Sequence, residues 1–192
     1  ANLFEPGAIQ KIIEAAPGLV VVDEAYQPFA RVTWLDNPLP EHVVVMRTLS
    51  KFGLAGLRMG YMVGHAAVIE QLDKLRMPYN VNVLSMQTAV FALRRHEVFD
   101  EQADLILREK SRMQQALASY SALEVFASDA NFILVRAPQQ SQQLFDHLLT
   151  SGIRIKNLSG SANSLTDCLR ITVGTAEQND SLLAALSGFY DV

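Results

Sequence analysis

Arg47-Thr48-Leu49-Ser50-Lys51-Phe52-Gly53-Leu54-Ala55-Gly56-Leu57-Arg58-Met59-Gly60 is the stretch around which the chain is organised. The apolar run Val43-Val44-Val45-Met46 leads into it and predicts a buried strand. Two hydroxyls and a lysine stand at the end of that strand, a small-residue segment comes next, and Arg58 comes seven residues after Lys51. In open α/β sheets, ligands gather at the carboxyl ends of strands. A lysine amine placed there can form an imine with an aldehyde. The neighbouring hydroxyls, loop amides and guanidinium can hold a phosphate. Ser-Lys pairs in glycine-bearing loops are also common without any ligand, so this stretch alone leaves a cofactor site and a plain loop both open.

A second stretch decides between them. Leu19-Val20-Val21-Val22-Asp23-Glu24-Ala25-Tyr26 is another apolar strand run, and it ends in an acid and a tyrosine. Two strand ends thus carry Asp, Tyr, Ser, Lys and Arg. Pyridoxal phosphate needs such a set: an imine-forming lysine, an acid for the pyridinium nitrogen and a cradle for the phosphate.

The motifs Asp23-Glu24-Ala25-Tyr26, Thr48-Leu49-Ser50-Lys51, Ala55-Gly56-Leu57-Arg58 and Leu169-Arg170-Ile171-Thr172-Val173-Gly174, with Pro78-Tyr79-Asn80-Val81-Asn82 between, succeed one another in that order. In this the chain resembles the histidinol-phosphate aminotransferases, pyridoxal-phosphate enzymes of the aspartate aminotransferase fold type. The resemblance runs over essentially the whole chain. It implies an α/β fold: a remnant of a mostly parallel large-domain sheet with covering helices over residues 1–94, then a smaller α+β carboxy-terminal domain over 95–192 that includes the linking helix. Asn2-Leu3-Phe4 resembles the segment just after the cofactor-binding Asn-Pro-Thr-Gly loop of that family. The expectation is therefore a carboxy-terminal portion of such an enzyme, without the upstream phosphate loop, ring-stacking residue and asparagine.

Composition agrees. The 192 residues are 49% apolar and 19% charged, which suffices for a large core, and the net charge of −4 shows no basic block for nucleic acid. Cys168 has no partner for an intrachain disulfide and is expected to pack as a small apolar residue on a strand. No apolar stretch approaches the ~20 residues of a membrane span, and a cytoplasmic enzyme fits. The four histidines, His42, His65, His96 and His147, lack metal-ligand spacing, so no metal is expected.

Along the chain, Pro6 suits the first turn of a helix whose apolar face is Ile9, Ile12, Ile13 and Ala16. The near-continuous apolar character of 19–22 predicts a strand covered on both faces. Residues 59–64 predict a third strand, expected to be antiparallel because no helix-length connection precedes it. Helices are expected around Val68–Leu75 and Val83–Leu93. Positions 99, 103, 106, 110, 113, 117 and 120 predict one long amphipathic helix, apolar except for Lys110. Strands are expected at 123–126, 131–136, 153–155 and 168–173, and helices around 144–149 and 182–190.

The family resemblance assigns roles to these residues. Lys51 is the Schiff-base lysine and the proton carrier at the substrate Cα. Asp23, expected to be a buried carboxylate, pairs with the ring nitrogen and favours its protonated form. Tyr26 places its hydroxyl near the cofactor's phenolic oxygen, and Glu24 supports. Thr48, Ser50 and Arg58 hold the phosphate, the arginine through its planar fork. Arg170 is the substrate's anion clamp, since an arginine in an apolar strand needs an anionic partner. Lys156 stands near where relatives carry a second phosphate-binding arginine, and Asn131 and Tyr79 are candidates to line the site. The implied activity is amino-group transfer between glutamate and histidinol phosphate, in a homodimer that shares a tyrosine across its interface. Threonine-phosphate decarboxylase, an aromatic aminotransferase, a non-catalytic pyridoxal-phosphate-binding regulator and an inactive fragment remain as alternatives.

Overall fold

The computed structural model describes residues 2–190. Two compact units emerge, one from Phe4 to Ala103 and one built mainly from Asp104 onward.

The first unit is a three-stranded sheet with helices. Helix α1 (Pro6–Ala15) starts on a proline at its first turn, where a missing N–H costs no hydrogen bond, and buries Ile13. Strand β1 (Val20–Asp23) pairs in parallel with β2 (Val43–Thr48), which pairs antiparallel with β3 (Gly60–Gly64), in the order β1-β2-β3. The central position of β2 explains its burial: Val43, Val44 and Val45 are fully enclosed. The strand at 19–22, expected to be covered on both faces, lies at an edge instead. There Leu19 and Val21 are 47% and 48% exposed. Between β1 and β2 the chain forms the short helix α2 (Gln27–Ala30) and a 3-10 turn over Trp34–Asp36. Helices α3 (Ala66–Asp73) and α4 (Val83–Leu93) come after β3. Asn82 caps α4 by accepting from Ser85 N at 2.8 Å.

Helix α5 (His96–Ala118) runs through the division between the units, whereas the sequence placed the boundary at 94/95, ahead of it. Its first turns belong with the first unit because Phe99 packs on Phe52, with ring centroids 4.9 Å apart.

The second unit is a four-stranded antiparallel sheet in the order β4-β5-β7-β6, made of β4 (Glu124–Val125), β5 (Phe132–Arg136), β6 (Lys156–Asn157) and β7 (Cys168–Thr172). Helices α6 (Ser141–Thr150) and α7 (Ala176–Tyr190) complete it. Met113 and Leu117 of α5, Ile133, Val135, Leu169 and Ile171 of the strands, and Leu144, Leu148 and Leu186 of the helices form one core. Each such side chain contributes about 1.5–3 kcal/mol on burial. Cys168 is fully buried on β7. The strand expected at 153–155 is displaced to Lys156–Asn157. Gly152 turns at φ 78 and Ile153 N donates to Leu148 O at 2.8 Å, so Ile153 closes the end of α6 before the chain can pair. Among the described residues, no helix is long and apolar enough to cross a membrane.

Candidate active site

Strands β1 and β2 run parallel in register, with Asp23 beside Met46, so their carboxyl ends lie side by side. Beyond β2 the chain does not enter a loop, as its small residues suggested. It winds into a helical turn over Ser50–Leu54, closed by a wide bond from Leu54 N to Leu49 O at 3.0 Å, and then a 3-10 turn over Ala55–Leu57. Wide turns of this kind recur at functional sites. Gly53 takes φ 91 inside the turn, a conformation that favours glycine. Thr48 starts the turn: its Oγ1 accepts from Ser50 N at 3.1 Å and donates to Met59 O at 3.3 Å.

An open cavity of about 630 Å³ lies over this end of the sheet, and Asp23, Thr48, Ser50 and Arg58 all line it. Lys51 and Tyr26 are outside its lining and meet each other, with the Lys51 Nζ 4.9 Å from the centre of the Tyr26 ring. Asp23 is exposed, not the buried carboxylate expected, because the cavity it borders is open. Its Oδ1 accepts from Ala25 N at 2.9 Å. Among the described residues, Asp23, Lys51 and Arg58 make no ion pair. Two uncommitted cations, an uncommitted carboxylate and the Ser50 hydroxyl are the donor set that a phosphorylated cationic heterocycle with an aldehyde requires, so the residues fit pyridoxal phosphate.

Behind this set lies a network that the sequence reading touched only at Glu24. Glu24 is 8% exposed. Its Oε2 accepts from Arg47 Nε at 3.0 Å, Arg47 Nη2 at 2.9 Å and Thr33 Oγ1 at 2.8 Å, and its Oε1 accepts from Trp34 N at 2.6 Å. Arg47 Nη2 also donates to Thr33 Oγ1 at 2.6 Å. Burial works against the charge of Arg47, but its bonds to Glu24 and Tyr61 outweigh that and hold its pKa above the ordinary arginine value. The signal was present in the sequence: an arginine at the end of an apolar strand needs an anion.

The second group lies in the other unit. Arg170 of β7 stands between Leu134 of β5 and Lys156 of β6 in the antiparallel register. Its guanidinium lies 5.2 Å from the Phe132 ring centre, and its Nε is buried without a hydrogen-bond partner. Two cations thus neighbour each other across the strands, and among the described residues neither makes an ion pair, which suits a multiply charged anion. Asn131 precedes β5, and its carbonyl accepts from Val173 N at 3.0 Å. Tyr79 is 98% exposed between α3 and α4.

The chain is 50% identical over 187 residues to Histidinol-phosphate aminotransferase 2 of Nitrosococcus oceani, covering 96% of this chain and 52% of that protein. It superposes on the crystal structure of histidinol-phosphate aminotransferase from Sinorhizobium meliloti in complex with pyridoxal-5'-phosphate with a TM-score of 0.83 and 26% identity, covering 98% of this chain and 53% of that one. The L-threonine-O-3-phosphate decarboxylase of Porphyromonas gingivalis shares the fold, with a TM-score of 0.83 at 23% identity over 99% of this chain and 61% of that one. The chain spans about half the length of the relatives it matches. Residues 2–186 match the family model described as Aminotransferase class I and II, and the chain belongs to that family.

Proposed function

We propose that this chain is the carboxy-terminal half of a cytoplasmic, homodimeric pyridoxal-phosphate-dependent aminotransferase. In this reading the full-length enzyme moves an amino group between glutamate and histidinol phosphate, in histidine biosynthesis. The observation that carries the substrate is the 50% identity to a histidinol-phosphate aminotransferase across nearly the whole chain. The uncommitted donor set at the strand ends supports the cofactor.

Bound pyridoxal phosphate supplies an aldehyde and a ring that accepts the electron pair released at the substrate Cα. The chain's own residues do the rest. Ser50, Thr48 and Arg58 hold the phosphate and fix the position of the ring. Asp23 offers a carboxylate that keeps the ring nitrogen protonated. Tyr26 directs its hydroxyl to the phenolic oxygen. Lys51 Nζ would carry the proton between the substrate Cα and the carbon of the cofactor's aldehyde group. In the second unit, Arg170 and Lys156 would hold an anionic group of the substrate.

The test is an assay of the full-length protein with histidinol phosphate and 2-oxoglutarate, beside O-phosphothreonine and aromatic amino acids. Glutamate formation from histidinol phosphate, at the highest kcat/KM of the panel, is the expected result. Carbon dioxide release from O-phosphothreonine would assign a decarboxylase. Cofactor binding without turnover of any of them would assign a regulatory module.

A further inference from the structure

Lys51 sits in an irregular turn, and its amine is not tied down. Among the described residues the side chain makes no hydrogen bond or ion pair, and its Nζ rests 4.9 Å from the centre of the Tyr26 ring. The place of the amine is therefore set by the backbone of Ser50–Leu54. Phe52 N and Leu54 N share one acceptor there, the carbonyl of Leu49, at 3.1 and 3.0 Å. Gly53, at φ 91, is a pivot inside the turn, with no side chain to restrict its rotation. On the entry side the turn is fixed by Leu49, which is 4% exposed and donates from its N–H to Met59 O at 3.0 Å. On the exit side it meets α5. The Phe99 ring packs on Phe52, with the ring planes tilted by 32°. It also covers the bare backbone of Gly53, where an added Cβ would stand 3.4 Å from the ring. Phe99 thus touches the two residues directly after Lys51. Next to it, Asp100 O accepts from Arg31 Nη2 at 3.3 Å, and Arg31 N closes α2, the short helix that starts after Tyr26. One turn of α5 so supports both sides of the Lys51–Tyr26 contact.

We infer that Phe99 is a positioning residue for the imine-forming amine, holding Phe52 and Gly53 so that the wide turn keeps Lys51 aimed at the cofactor's aldehyde. The inference rests on the reading of Lys51 as the Schiff-base lysine. The phosphate cradle is held by other contacts. Thr48 Oγ1 binds Ser50 N and Met59 O ahead of the pivot, and Arg58 is tied back through Met59, whose carbonyl also accepts from Leu49 N. The aldehyde is thereby placed by one set of contacts and the amine by another, and reaction needs both within about 3–3.5 Å of each other. Without the ring, Gly53 loses its cover and the exit side of the turn can relax toward an ordinary loop. The loss then falls on what Lys51 does and not on the hold of the phosphate.

The test uses the full-length protein. In the apoprotein, Phe99→Ala is expected to speed amide exchange over residues 50–54. On addition of pyridoxal phosphate, the imine absorbance is expected to appear about 10²-fold more slowly than in the wild type, the cost of a displacement of about 1 Å. Pyridoxamine phosphate cannot form the imine and reports the phosphate and ring contacts alone; it is expected to keep its wild-type Kd. Phe52→Ala combined with Phe99→Ala is expected to cost no more than either alone, because the two rings make one contact. A last arm removes the lysine: with Lys51→Ala and added methylamine as the external base, Phe99→Ala is expected to have no further effect on turnover. Unchanged imine formation, a parallel loss of pyridoxamine phosphate affinity, or an equal loss in the methylamine-rescued protein overturns the inference. If Lys51→Ala leaves the imine absorbance intact, the assignment of Lys51 itself falls. Where Phe99→Ala does not fold, Phe99→Leu carries the test, with a smaller effect in the same direction; an unchanged rate of imine formation overturns the inference.

Discussion

At the scale of single residues, the chemistry is concentrated in side chains that the structure leaves uncommitted. Lys51 rests over the Tyr26 ring and makes no ion pair among the described residues. A lysine amine that no acid engages among the described residues is placed to react with an aldehyde. In the full-length enzyme, borohydride is expected to fix the cofactor covalently to Lys51. Lys51→Ala should abolish both that labelling and turnover, and peptide mapping of the label checks it; labelling at another lysine would reassign the role. Arg170 presents the complementary case, a buried Nε without a partner beside Lys156. Arg170→Gln should raise KM for glutamate and for histidinol phosphate about tenfold or more, the loss of a charged hydrogen bond, while the cofactor Kd stays put. A change confined to the cofactor Kd would move Arg170 out of the substrate's site. These residues were legible in the sequence because their types stand out against apolar strands. Arg47 escaped, although the reasoning that found Arg170 applies to it equally, because the hydroxyls, Lys51 and Arg58 that follow it stood out more.

At the scale of elements, periodicity located the long helix and most of the strands, and the one polar residue on the helix's apolar seam organises its packing. Lys110 is 6% exposed and donates to Ser128 O at 2.8 Å and to Ala130 O at 3.0 Å, so α5 holds the loop that leads into Asn131 and β5. Lys110→Met should leave two carbonyls unsatisfied at a cost of about 2 kcal/mol. Amide exchange in 126–131 should then speed up about thirtyfold, and unchanged exchange there would remove Lys110 from that role. Burial, against a smaller opposing effect of Asp129, holds the Lys110 ammonium below the ordinary lysine pKa. The folded protein therefore sheds this proton before the unfolded chain does. The contribution of Lys110 to stability rises with pH between its lowered folded value and the unfolded one, and the protection it gives the loop should widen over that alkaline window. What periodicity could not locate were features set by the backbone alone. The wide turn that carries Lys51 reads as loop because Gly53 interrupts it and Ala55-Gly56 follow it. The β6 pairing slipped three residues along because Gly152 and Ile153 are spent on ending α6.

At the scale of the whole molecule, the pattern of exposure bears on what the chain does alone. Composition predicted a large core, and the second unit has one, yet apolar side chains remain uncovered. Val21 on the β1 edge, Tyr61, Met62 and Val63 on β3, and Leu84 and Phe91 on α4 are all exposed. Strands as apolar as 19–22 and 60–64 signal burial in sequence, and the described residues supply cover chiefly to β2 between them. Uncovered apolar faces and an unpaired strand edge favour association. The cavity that holds Asp23 and Arg58 is open on the same unit, so a bound phosphate or ring would remain in contact with water, where each charged contact is weakened. The chain also spans only 52% of its 50%-identical relative. The 192-residue chain expressed by itself should therefore associate, bind pyridoxal phosphate weakly and show no transamination, whereas the full-length protein should bind it stoichiometrically. Titration of each with the cofactor, followed by absorbance alongside sedimentation, separates the two. Tight, stoichiometric binding at Lys51 by a monomer of the 192-residue chain would show that the pocket is complete within these residues.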